Sequence, residues 1–238
     1  MSGLSTTGAL SGGEVLGAVA RVWRANVIPI SVIGLVFALP HLAFSTVARA
    51  LDDTVRDLLQ MALLAAMASL MTATLTFGVI DCLDGGRMNA IDSVTRGLWR
   101  WVGALKAGML AGLGAGVGLA LLIVPGVFAM CVWAVAVPVA VAEQVDSPLA
   151  RSATLTEGRR WQVFFAGFLV LVVLLVVNGV FARVAISITG TDEARDAVHA
   201  LLMAPLQPAW SILAIVLYRR LREAREGAPA AALAEVFD

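Results

Sequence analysis

From Ala107 to Ala142 the chain runs for thirty-six residues without a charge. As a single helix, at ~1.5 Å per residue, that run would extend roughly 54 Å against a hydrocarbon core of ~30 Å. It is too long for one crossing and suits two antiparallel ones. Pro125-Gly126 supplies the break, because proline cannot donate into a helical ladder and glycine accepts turn geometry. The expected form is a tight hairpin at Pro125-Gly126 on one membrane face, with the polar stretch Glu143 to Trp161 on the other. A single kinked helix with a re-entrant piece is the alternative.

The rest of the composition agrees. Sixty per cent of residues are hydrophobic and fourteen per cent charged, and the mean hydropathy is +0.89. Soluble domains do not have such a composition. The chain is therefore expected to be an all-α, polytopic membrane protein. Its 238 residues accommodate about six crossings and leave no room for a soluble catalytic domain. A net charge of zero gives no general attraction to nucleic acid. Arginine outnumbers lysine sixteen to one, which reads as genomic bias. The opening MSGLSTTGALS has neither a basic nor an apolar region, so the first crossing is expected to serve as an uncleaved targeting signal.

Six spans are expected: Ala25 to Ala48, Leu58 to Ile80, Val102 to Val124, Gly126 to Ala142, Trp161 to Ile188, and Ala197 to Tyr218. Three amphipathic pieces precede alternate spans. The first, Ser11 to Arg24, has capping-box spacing at Ser11 and Glu14 and aligns Val15, Val19 and Val22. The second begins at Asn89, a plausible cap, and aligns Ile91, Val94, Leu98 and Trp101. The third, Ser147 to Arg160, opens with a cap followed by proline. Each ends in a Trp and Arg cluster suited to lipid headgroups. An order of interfacial helix, outward span and return span thus occurs three times, over 11–82, 87–142 and 147–218, within one membrane domain of 11–222. Residues 1–10 and 223–238 are expected to be poorly ordered.

Thirteen of the seventeen Lys and Arg residues fall on the side of the three amphipathic pieces. Arg49, Arg56, Arg183 and Arg195 fall on the other. The positive-inside rule then places both termini and the three interfacial helices in the cytoplasm.

Candidates for chemistry are few. The two histidines, His41 and His199, have no partner at helical spacing, and Cys82 and Cys131 form neither a disulfide framework nor a metal spacing. No phosphate-binding glycine loop or nucleophile elbow is present. No catalytic residue, cofactor or metal is expected. Gly108, Gly112 and Gly116 recur every four residues and predict a close helix–helix seam that makes the third span central. Asn178, Pro138, Pro205 and Pro208 are the intramembrane polar and kink candidates, either for packing or for exposing carbonyls to a solute. Arg96, Arg100, Arg151, Arg159 and Arg160 form a basic belt that could meet anionic phospholipid or a protein partner.

The VPG turn at Val124 to Gly126, AVPVAVAE at Ala136 to Glu143, SPLARSATLTEGRRWQVF at Ser147 to Phe164 and PLQPAWSILAIVLYRRLR at Pro205 to Arg222 together resemble a bacterial membrane family. It is the family named for the membrane domain of glycerophosphoryl diester phosphodiesterase, grouped with YciC-like uncharacterised proteins. The resemblance implies six helices in a bacterial cytoplasmic membrane. The phosphodiesterase barrel that some members carry is absent here, so no enzymatic activity is implied. The expected role is a non-enzymatic module acting through lipid or protein contacts, for example in envelope maintenance. The alternative is a transporter or channel for a small or lipidic solute.

Overall fold

The computed structural model describes residues 12–48 and 51–227. These residues form helices joined by short connections, with no strand among them. In chain order the helices are α1 (Gly12–Ala25), α2 (Val27–Val47), α3 (Asp53–Leu83), α4 (Ala90–Leu98), α5 (Trp101–Leu121) and α6 (Ile123–Val132). They continue with α7 (Ala136–Ala142), α8 (Pro148–Thr156), α9 (Arg160–Ile188), α10 (Asp192–Met203) and α11 (Ala209–Glu226). The expected cap at Ser11 and the residues 1–10 lie outside the described residues. α11 runs on to Glu226, so 223–226, assigned above to the tail, are helical.

Among the described residues five segments are long and apolar enough to cross a membrane: Val27–Phe44, Asp53–Leu83, Trp101–Leu121, Ile123–Ala142 and Arg160–Ile188. The expected sixth, Ala197 to Tyr218, is not one helix. Pro205 and Pro208 remove two ladder donors, and a turn separates α10 from α11. The hairpin also sits earlier than expected. The chain reverses at Leu122, in extended geometry (φ −157°, ψ 143°), and Pro125 falls in the first turn of α6. A missing N–H is no loss there, since the first helical turn has no acceptors for its donors. The arms then touch backbone to backbone: a Cβ on Gly118 would lie 2.8 Å from the Gly126 Cα.

The helices interlock in a cycle. α3, α7 and α11, the last helices of the three units, meet at the centre. α1 rests on α11, α4 on α3, and α8 on α7 and α6. On the outer side α3 packs on α5, α6 on α9, and α10 on α2. Every unit therefore clamps the return helix of the unit before it, and the first unit clamps the third. Burial follows this geometry. Half of the α3 segment is inside the protein (50%), against 22%, 11% and 17% for the spans at α2, α5 and α9. The α5 segment is the least buried of the five, against the expectation of a central third span, although it packs on α3, α6 and α7. Gly112 and Gly116 face open space, and only Gly108 of that series has a close neighbour, the Ser69 side chain of α3.

The contact of α4 with α3 shows how such docking works. Asn89 caps α4 by accepting from Asp92 N. Ile91, Leu98 and Trp99 point away from the protein, while Ser93 and Gly97 face α3. Gly97 lies on the α3 backbone, where an added Cβ would be 2.6 Å from the Thr74 Cα. The Ser93 hydroxyl donates to the Thr74 carbonyl (2.5 Å) and accepts from the Gly78 N–H (2.8 Å). It thus enters the α3 ladder between a carbonyl and the amide four residues on, a recognised way of bending a helix.

Candidate functional site

Proline and hydroxyl chemistry also positions α8. Pro138 cannot donate to the preceding turn, and the chain breaks between α6 and α7. Ala136 N donates to Trp133 O (3.0 Å) rather than to the carbonyl of Val132. Val132 O instead accepts from Ser152 Oγ at 2.8 Å and Thr156 Oγ1 at 3.3 Å, both fully buried on α8. At the other break, Ala209 N donates to Leu206 O, and Pro205 O accepts from the Trp23 indole of α1 at 2.7 Å. Pro208 is buried beside Gly34 of α2. One carbonyl at each break, Val132 O and Pro205 O, thus accepts from a side chain of another helix. Asn178 is exposed on α9, with its Nδ2 3.5 Å from His199 Nε2 of α10.

A polar cluster that sequence reasoning missed joins α7, α8 and α11. Glu143 has a side chain only 10% exposed. It accepts from Arg151 Nε at 2.7 Å and from the hydroxyl of Tyr218, the single tyrosine, at 3.1 Å. Arg222 donates to the Tyr218 hydroxyl (3.2 Å) and to Glu226 (2.8 Å). Arg151 also pairs with Glu226. The Arg151 and Arg222 guanidiniums hold the Glu226 carboxyl below its ordinary value. The only available sequence signal was the adjacency of Glu143 to the end of an apolar span.

The five arginines of the expected belt divide into two groups. Arg96 pairs with Asp81 and Asp92. Arg100 donates to the Val141 and Ala142 carbonyls at the end of α7, and both guanidiniums lie over the Phe77 ring at about 5 Å. Arg151 is committed to Glu143 and Glu226. These three therefore stabilise the protein's own helix ends, a correction to their expected outward role. Arg159 and Arg160 differ. Arg160 stacks over Phe128 at 4.7 Å, yet its Nε and the Nη1 of Arg159 are buried without a hydrogen-bond partner. A guanidinium nitrogen out of water and unpaired is costly unless something accepts from it.

That pair lies at the start of α9, one turn before an apolar groove. The groove, about 350 Å³, runs between α6, α9 and α11 and is lined by residues that include Met130, Val163, Phe164, Phe168, Trp210 and Leu217. Phe164 stacks on Phe168 with centroids 5.9 Å apart, forming one wall. The geometry is an open apolar slot, with the two under-satisfied arginines one helical turn before its Val163 and Phe164 lining. Among the described residues no three His, Cys, Asp or Glu side chains group as metal ligands.

Fold and site together define an all-helical protein with several helices able to cross a membrane. No family model, curated protein or solved structure matches the chain.

Proposed function

We propose that the chain is a multi-pass protein of the bacterial cytoplasmic membrane that performs no reaction of its own and holds an anionic phospholipid in the groove of α6, α9 and α11. In this reading α10 and α11 together make the sixth crossing, bent at Pro205 to Pro208. α1, α4 and α8 lie at the cytoplasmic interface, with both termini on that side. The arginine distribution supports this orientation, and the apolar outer face of α4 suits a lipid boundary. The same reading is consistent with the membrane family that the chain resembles and with a module for envelope maintenance.

The observation that carries it is the pair of unpartnered nitrogens on Arg159 and Arg160 beside an apolar slot. An acyl chain supplies what the slot lacks, and a phosphate oxygen supplies what the guanidiniums lack. The transport reading has less support, because Val132 O and Pro205 O at the two helix breaks already accept protein side chains.

The test is native mass spectrometry of protein extracted into native-lipid nanodiscs. The wild type should retain stoichiometric anionic lipid, and Arg159→Gln with Arg160→Gln should lose it while keeping its yield. Equal retention in both proteins, or only bulk lipid on the wild type, overturns the proposal.

A further inference from the structure

A second cavity, independent of the groove, opens between α1, the start of α2 and the turn joining α3 to α4. It measures about 560 Å³, and its polar lining includes Arg21 and Asn26 on one side and Arg87, Gly86 and Cys82 on the other. Cavities of roughly 300–1,000 Å³ suit small molecules or the headgroup portion of larger ones.

Its charge balance is unusual for this protein. Asp81 and Asp84, the carboxylates of the adjoining turn, are taken by Arg96 and Arg219. Arg21 and Arg87 are exposed and have no ion pair or hydrogen bond among the described residues. Two guanidiniums thus line one concave space whose own lining carries no carboxylate. The turn that presents Arg87 is constrained. Gly85 takes φ +87°, and Gly86 N is bonded to Asp81 O at 2.8 Å. Asn26 is likewise fixed, its amide donating to Val22 O (3.0 Å) and approaching the Cys82 sulfur (3.4 Å). The cations therefore project from anchored backbone on two separate elements.

We propose that this cavity binds a phosphate monoester. Such a group carries about −1.5 to −2 charge at neutral pH, which matches two guanidiniums, and its oxygens suit their forked donors. A phosphodiester has a single charge and would leave one cation unmatched. The monoester belongs either to a lipid headgroup, as in phosphatidate, or to a soluble molecule.

The experiment uses the full chain in phosphatidylcholine nanodiscs with two probes, inorganic phosphate followed by calorimetry, and phosphatidate incorporated into the disc and followed by native mass spectrometry. Saturable phosphate binding, weakened about tenfold or more by Arg21→Gln or Arg87→Gln, supports the site with a soluble source. Phosphatidate retention without phosphate binding, lost in the same variants, supports it with a lipid source. Arg21→Lys and Arg87→Lys keep the charge and the fold but lose the fork, and should fall between wild type and glutamine. Arg159→Gln with Arg160→Gln, which empties the groove of anionic lipid, should leave phosphate binding unaffected and is the background in which phosphatidate at the cavity is scored. No binding of either probe, or binding unchanged by Arg21→Gln and by Arg87→Gln, overturns the proposal. So does loss of phosphate binding, or of all bound phosphatidate, on changing Arg159 and Arg160 alone, which would assign the anion to the groove.

Discussion

Gly97 and Ser93 show how much of the fold depends on single atoms. At Gly97 an added methyl would meet the Ala73 carbonyl and the Thr74 Cα, and backbone does not give way as a flexible side chain does. Gly97→Ala should therefore lift α4 from α3 and destabilise the protein by about 1–3 kcal/mol, read as a lower unfolding midpoint in detergent. The equivalent change at Gly112, which faces open space, should leave the midpoint unchanged or raise it slightly through helix propensity. Spacing alone marked Gly108, Gly112 and Gly116 as equals. Which of them approaches a neighbour depends on which face of the helix meets a partner, and for Gly108 and Gly97 that partner, α3, lies elsewhere in the chain.

The junction of α8 and α11 is held by charge. Glu226 has its carboxyl lowered by Arg151 first and Arg222 second. A lowered carboxyl stabilises the folded state above its unfolded pKa of ~4.3, and that contribution disappears as the pH falls through the lower folded value. The pair is largely solvated, so the effect is at most about 1 kcal/mol. Hydrogen exchange of α8 amides should therefore be up to about fivefold slower in wild type than in Glu226→Gln at neutral pH, with the two converging in acid. A gap that persists in acid would mean that the ion pair does not hold α8. The existence of α8 was legible from Pro148 at its first position, although the Ser147 side chain makes no cap bond, and that of α4 from Asn89. Their docking was not, because Ser152, Thr156, Ser93 and Arg151 each act on a partner on another helix. The arginine belt was misread for the same reason: a guanidinium's role depends on whether a carboxylate or a helix-end carbonyl lies within reach, as Arg96, Arg100 and Arg151 show. The apolar runs were the most readable feature, since hydropathy needs no knowledge of partners. The exception, Ala197 to Tyr218, combines two prolines with an apolar stretch that α11 continues into a charged helix.

The molecule as a whole is a closed cycle of three units whose return helices α3, α7 and α11 form the centre. Its membrane orientation can be checked on a background of Cys82→Ser and Cys131→Ser. Impermeant thiol reagents should label Asp84→Cys and Ser147→Cys from the cytoplasmic side of inverted vesicles, and Gly190→Cys from the opposite side. Labelling of Gly190→Cys and Ser147→Cys from one side would remove a crossing from the proposed topology. The cycle also bears on biosynthesis. Of the described helices α1 comes first in the chain, yet the surface it rests on, α11, is the last of them, and the Pro205 carbonyl that receives the Trp23 indole is made more than 180 residues after its donor. α1 therefore cannot take its place on α11 until α11 has been synthesised, and before that only its smaller contacts with α2, α3 and α9 are open to it.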